Sequence, residues 1–393
     1  MRRVLFVQYT NPAGYPPLEH SAHILAEGGW SVRLLGATLA GTEPLRFRAH
    51  PRVRVQYVAR GGRRLRRLAD YLRYAAHAVL ACATWRPHWV YVSDTMAAPL
   101  GLAATLLPGV RIAYHEHDAP LARATRAWER WPLAARRRLL RRADVVVVPN
   151  AERAARLSEE AGGREVTTVW NCPRLDEVGP PRKCRAGALR VVYHGSIVPD
   201  RLPLAVIDAL AAVPGVELVV AGYETVDSRG YVDRLRARAR SLGVGDRLSL
   251  AGAVPTRAAL LDLCATADVG LALMPLDGAD FNMRTMSGAS NKAFDYMARG
   301  VAPIVSDLPD WRALYVDRGL ALATPSLDAD GLAEVFRWCA GHRREVAAMG
   351  ERGRRQILAE WNYDTLFAPV LRQLSADRGP TPEPRPSFEV VHD

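Results

Sequence analysis

Residues 287–300 read SGASNKAFDYMARG, and the fold turns on what this stretch is. Ser290 stands where a helix N-cap belongs. Asn291 and Lys292 follow in a first turn whose unpaired N–H groups and dipole favour an anion. Phe294, Met297 and Ala298 recur at core-facing spacing, which leaves Lys292 and Asp295 as neighbours on another face. At 1.5 Å of rise per residue, Asp295 sits about 7 Å along the axis from the cap, near the reach from a diphosphate to the ribose of a nucleotide. Taken alone, the same residues also describe a solvated Lys–Asp pair. The flanks decide the element: "DVGLALMPL" (268–276) precedes it and "APIVSD" (302–307) follows. A helix between two short buried-type strands needs a parallel sheet.

Working outward, the alternation extends to both ends of the chain. Before residue 268 come "LRVVYHGS" (189–196), a helix at 203–213, "VELVVAGY" (216–223), a helix at 229–242, "RLSLAG" (247–252) and a helix at 256–266. Helices at 328–339 and 342–360 follow. The first half opens with "RRVLFVQYT", the Gly/Pro-rich loop "NPAGYPPLEH" and a helix from Leu18 to Glu27. It continues through "SVRLLGA", "WVYVSD" (89–94), "VRIAYHEHD" (110–118), a long basic helix, "DVVVVPN" (144–150) and "EVTTVWN" (165–171). Between the halves, "CPRLDEVGPPRKCRAG" (172–187) is rich in Pro, Gly and charge and has no periodicity. The expectation is an α/β chain of two Rossmann-like, doubly wound domains facing a cleft, 1–172 and 189–360, joined by a linker at 173–188. A helix at 361–376 is expected to pack back on the first domain, and a Pro-rich tail at 377–393 to be disordered. Ligands of such sheets sit at the carboxyl ends of the strands.

Composition narrows the function classes. At 393 residues, 49% hydrophobic and 24% charged, the chain reads as an ordinary soluble globular protein. Five widely spaced cysteines without a C-x-x-C favour reduced thiols over a disulfide frame. The first apolar run is too short for a signal peptide, and none reaches the length of a membrane span. A cytoplasmic protein is expected, at most peripheral to a membrane. The net charge of +12 comes from arginines clustered at 60–73 and 123–142. No nucleic-acid-binding signature accompanies them, so an acidic substrate or an anionic membrane surface fits better. The helix "RRLRRLADYLRYAAHAVL" places Leu65, Leu68, Leu72, Ala75 and Val79 on one face, expected to pack on the sheet, with an anionic membrane as the alternative. Arginine- and alanine-rich usage suggests a high-GC bacterial coding sequence.

The run "YHGSIVPDR … VELVVAGY … DRLSLAGAVPTRAALLDLCATADVGLALMPL … SNKAFDYMARGVAPIVSDLPDW", residues 190–311, resembles the second domain of retaining, sugar-nucleotide-dependent glycosyltransferases of family four, with the GT-B fold. The first half matches more loosely, in "RPHWVYVSD", "YHEHD" and "RRADVVVVPN". The resemblance implies a donor diphosphate on Lys292 and Arg201, with Gly195 and Ser196 at the phosphate turn and Ser290 and Asn291 at the helix mouth. Asp295 takes the place of the glutamate that holds the ribose. Ser287 stands where many members carry a second glutamate facing the sugar, so the E-x7-E motif is degenerate; Asn282 and Arg284 fit branches that lack it. His117 takes the place of a histidine facing the transferred sugar, and Asp118 that of its acidic neighbour. Gly14, Tyr15, Glu19 and His20 of the first loop are acceptor-side candidates, joined by Asn282. A hydrogen-bonded loop histidine is the plainer reading of "YHEHD"; a His115–His117 metal pair is a further alternative that lacks an obvious third ligand. No metal or other cofactor is expected, only the nucleotide sugar and an acceptor: a glycan, a lipid-linked intermediate or a secondary metabolite. Two other functions use the same features: a UDP-sugar 2-epimerase of this fold, and a non-catalytic partner subunit.

Overall fold

The computed structural model describes residues 1–38, 41–61, 67–120, 127–182, 184–278 and 280–376, with the side chains of 127–129 outside that description. The expected tail at 377–393 and Leu65 therefore lie outside the described residues. The first half contains β1 (Arg3–Gln8), α1 (Pro16–Glu27), β2 (Ser31–Ala37), β3 (Val53–Val58), α2 (Arg67–Trp85) and β4 (Trp89–Ser93). It continues with α3 (Asp94–Ala104), β5 (Arg111–His115), α4 (Ala127–Arg142), β6 (Val145–Val148), α5 (Ala151–Glu160) and β7 (Thr167–Thr168). The seven strands form one parallel sheet in the order β3-β2-β1-β4-β5-β6-β7. The central strands are buried on both faces, which is why they read as unbroken apolar runs.

The second half contains β8 (Leu189–Ile197), α6 (Ala205–Ala212), β9 (Val216–Glu224), α7 (Tyr231–Ser241), β10 (Leu248–Gly252), α8 (Arg257–Ala265) and β11 (Val269–Ala272). Then come α9 (Phe281–Arg284), α10 (Asn291–Ala298), β12 (Ala302–Ser306), the single turn α11 (Pro309–Trp311), β13 (Leu322–Thr324), α12 (Ala329–Gly341), α13 (Arg343–Ala359) and α14 (Tyr363–Ser375). Its six strands are also parallel, ordered β10-β9-β8-β11-β12-β13. Two doubly wound α/β sheets are thus the architecture. In each, strand order reverses once, between β1 and β4 and between β8 and β11, and these switch points are where ligands bind in open sheets.

Helix α14 leaves the second half and lays Tyr363, Phe367, Val370 and Leu374 beside α1 on the first sheet. Its partners include Ser21, whose hydroxyl lies 2.8 Å from that of Tyr363. The opposite face of that sheet carries α2, α3 and α4.

Three elements escape the pattern reading. Strand β3 is an edge strand, mostly open to solvent, and β13 is only three residues long. Helix α5 is mostly polar, with Leu157 its one large apolar residue; Asn150 caps it by accepting from the Arg153 N–H. The stripe on α2 is a correction. Leu68, Leu72 and Val79 are 65%, 59% and 60% exposed, while Tyr71, Tyr74 and Ala78 face the sheet. The tyrosines win that face because their rings meet Tyr9 edge-on at 5.0 Å and their hydroxyls donate to the carbonyls of Met96 and Leu35, both at 3.0 Å. The aliphatic stripe has no such polar anchor and is left outside.

Candidate active site

The two switch points face one another across a cleft of about 230 Å³. On the second-domain side, β8 ends in His194-Gly195-Ser196 beside the mouth of α10. Gly195 has φ +107, and a Cβ on its neighbour Gly222 would fall 1.8 Å from the Gly195 carbonyl oxygen, so only glycine suits the pair. The bare Gly195 also leaves room for the Lys292 ammonium, which lies 5.4 Å over the Tyr193 ring.

Lys292 is 6% exposed, and no carboxylate pairs with it among the described residues. Burial, then the nearby Arg201 charge, lowers its pKa to about 7. A buried ammonium lacking its counter-charge, next to a guanidinium and a helix N-terminus, is an anion site. Buried polar atoms along the same cleft make no hydrogen bond within the protein: Ser290 Oγ, Asn171 Oδ1 and both ring nitrogens of His117. Such groups call for partners from a ligand.

The opposite wall comes from the first domain, with Tyr15, Pro16 and Pro17 at the start of α1 and His117-Asp118 after β5. His117 is pinned through its backbone: its N–H donates to Asp94 Oδ1 at 2.8 Å, and its carbonyl accepts from Arg153 Nη1 at 2.5 Å. Burial, with Arg153 adding to it, depresses the ring pKa to about 3, so the imidazole is neutral at physiological pH. Tyr15 lies 5.6 Å from that ring. His115 lies behind it, ring centroids 4.1 Å apart and tilted by 40°, but turns Nδ1 to the Tyr91 hydroxyl at 2.7 Å. Asp118 is largely exposed and sits 3.8 Å from Arg153.

Gly14, Tyr15, His117, Asp118, Gly195, Ser196, Arg201, Ser290, Asn291 and Lys292 all line this cleft; four of the expected site residues do not. Asp295 is 1% exposed, and both its oxygens accept from Arg257, at 2.7 and 3.3 Å. Its carboxylate, one methylene shorter than a glutamate, turns into the protein, where His194 Nε2 also lies 3.4 Å from Oδ2. Arg257 also pairs with Glu177 of the linker at 2.5 Å, and His20 meets Glu177 at 3.0 Å. His20 is therefore a buried contact of the linker, not a cleft residue. Glu19, on the same turn of α1, accepts from the Arg48 N–H at 2.8 Å. Asn282 exchanges both hydrogen bonds with the backbone of Ala119, at 2.8 and 2.7 Å, and so joins the domains.

Asn282 belongs to a set that pattern reading missed. Asn150 donates to the carbonyls of Thr285 and Ser287, at 2.7 and 2.9 Å. Asn171 donates to those of Gly288 and Ala289, at 2.8 and 2.7 Å. Arg153 reaches Thr285 Oγ1 at 3.1 Å. The loop that carries Ser287 is thus stitched to the first domain by its backbone. Asp94 was missed too, although it ends the quoted strand "WVYVSD". Its φ of 62 is unusual for a non-glycine residue. Burial, then the neighbouring Asp118 charge, raises its carboxyl to about 7.

This geometry agrees with comparisons to known proteins. Residues 18–173 match the model of the glycosyl transferase 4-like domain, and residues 204–372 that of a glycosyl transferase-like domain. A search of curated protein sequences finds no match. Among solved structures, sucrose-phosphate synthase from Thermosynechococcus elongatus superposes with a TM-score of 0.71 at 16% identity, over 95% of this chain and 99% of that one. Anabaena HepE in complex with UDP and glucose gives 0.67 at 17%, over 95% and 100%. The α,α-trehalose 6-phosphate synthase of Burkholderia multivorans gives 0.64 at 15%, over 95% and 98%. The fold is GT-B. With both domain models matched in order, the chain belongs to the group 1 glycosyltransferases. No helix among the described residues is long and apolar enough to cross a membrane.

Proposed function

We propose that the chain transfers a sugar from a nucleoside-diphosphate sugar to a hydroxyl or amine acceptor, with retention at the anomeric carbon and without a metal. The observation that carries this reading is the buried, unpaired Lys292 beside Arg201 and the α10 N-terminus. These groups meet the charge that develops on the departing diphosphate, the task a metal ion performs elsewhere. In the transfer, the bond from the anomeric carbon to the diphosphate oxygen breaks. The bond to the acceptor oxygen or nitrogen forms on the same face, and the acceptor proton passes to the departing phosphate.

Retention is favoured because neither His117 nor Asp94 is free to act as a general base, and the Asp118 carboxylate is drawn to Arg153 at 3.8 Å. The His117 ring, with a pKa of about 3, is too weak a base to draw a proton from a hydroxyl at neutral pH. Asp94 lies behind the His117 backbone, its oxygens held by that N–H and by the Gln8 amide. His117 then orients the donor sugar by hydrogen bonding to a hydroxyl. HepE, of the same fold, has been solved with UDP-glucose, which makes that compound a reasonable first probe.

Proton NMR of UDP-glucose turnover, with water or an added sugar as acceptor, tests the reading. The expected first product carries the α anomer. A β product would overturn retention, and a C2 epimer of the donor formed without acceptor would replace transfer by epimerisation.

A further inference from the structure

Seven of the thirteen large apolar side chains exposed among the described residues lie on one side of the first domain. Leu68, Leu72, Val79 and Leu80 project from α2, Leu106 and Leu107 follow α3, and Trp131 stands on α4. Val79, Leu106 and Leu107 border an apolar groove of about 330 Å³ between α2 and α3, and Leu68 and Trp131 border a smaller hollow over Tyr71 and Met96. Val7 and Val90 of the sheet line the groove, with Val79, Leu100 and Leu107 among its walls. The small residues Ala78, Ala83, Ala103 and Ala104 keep it open. An exposed patch of this kind on a water-facing helix layer marks a contact surface.

Charge identifies the partner. Arg73 of α2 and Arg130, Arg137, Arg138, Arg141 and Arg142 of α4 are exposed on the helices that carry these apolar side chains. The acids of α2 and α3 are turned inward: Asp70 accepts from the Gly61 N–H, and Asp94 from that of His117. A second copy of this basic chain would meet like charge with like. Nucleic acid would offer the leucines nothing. An anionic lipid surface satisfies both halves at once: arginines at the headgroups, and leucines and the groove at the acyl chains. Trp131 suits the boundary between them.

We propose that the α2–α3–α4 face docks on an anionic bilayer, with the α2–α3 groove receiving a lipid acyl chain. At the start of α2, Trp131 meets Tyr71 edge-on at 4.9 Å and Arg60 lies 4.8 Å over Tyr9, the residue that follows β1. The docking surface stands independently of the donor and of the stereochemistry of transfer.

Flotation of the purified full chain with phosphatidylglycerol/phosphatidylcholine vesicles tests the proposal. Expected is co-flotation that high salt weakens and that pure phosphatidylcholine does not support. The double variant Leu72→Asp/Leu80→Asp should lower the partition coefficient by at least about tenfold. Arg137→Glu/Arg141→Glu should remove the preference for anionic lipid. Both sets lie on the surface, so unchanged circular dichroism and unchanged UDP affinity by calorimetry separate lost docking from lost folding. No flotation with anionic vesicles, or flotation of Leu72→Asp/Leu80→Asp equal to wild type, overturns the proposal. So does a dimer in light scattering that this double variant dissociates.

Discussion

Lys292 is charged below about pH 7 in the free protein and increasingly neutral above it, because burial and Arg201 both disfavour its proton. A bound diphosphate reverses that preference, so binding above pH 7 must take up a proton. Affinity for UDP is therefore expected to fall as pH rises from 7 to 9, by up to about tenfold per unit. Lys292→Met should abolish that slope and weaken binding at pH 6.5. Calorimetry in buffers of differing ionisation enthalpy reads both effects, and a pH-independent wild type would remove Lys292 from the phosphate site. At this scale the sequence was legible where chemistry is local. Gly195, Ser196, Ser290 and Lys292 could be read because a turn and a helix N-terminus define their surroundings. Asp295 could not, because its partner Arg257 lies 38 positions away and only packing brings them together.

At the scale of elements, α10 is set on the second sheet by Tyr296. A Cβ at Gly270 of β11 would lie 2.4 Å from that ring, so the glycine admits it, and the Tyr296 hydroxyl donates to the Leu271 carbonyl at 3.1 Å. Arg257 at the start of α8 then ties α10 to the linker through Asp295 and Glu177. Burial works against the Glu177 charge, but Arg257 and His20 outweigh it and hold that carboxyl well below its ordinary range. Removing one partner of such a buried set leaves the others uncompensated. Arg257→Met is expected to cost about 3–5 kcal/mol of stability, measurable as a lowered midpoint in urea. A loss under about 1 kcal/mol would mean the set is solvated, like an exposed pair. Elements with long apolar runs were legible; the short edge strands and the polar α5 were not, since each carries only a few apolar residues and buries little.

Across the whole molecule, the cleft is held by hydrogen bonds from first-domain residues to the 282–289 loop. Asn282→Ala removes two of them without touching the donor groups. It should raise KM for the donor by about 5–30-fold, the equivalent of roughly 1–2 kcal/mol. The radius of gyration without nucleotide should increase in small-angle scattering. An unchanged radius and KM would show that the remaining contacts suffice to hold the domains.

The amino-acid sequence by itself determined two parallel sheets, their linker, and the helix mouth with its lysine. Each rests on periodicity or on contacts a few residues apart, which any compact state of the chain must respect. Tertiary structure decided which face of α2 meets the sheet, that Asp295 turns to Arg257, and that Asn282 joins the domains. Those outcomes depend on competition among distant partners for the same buried space, and no single stretch of sequence contains both competitors.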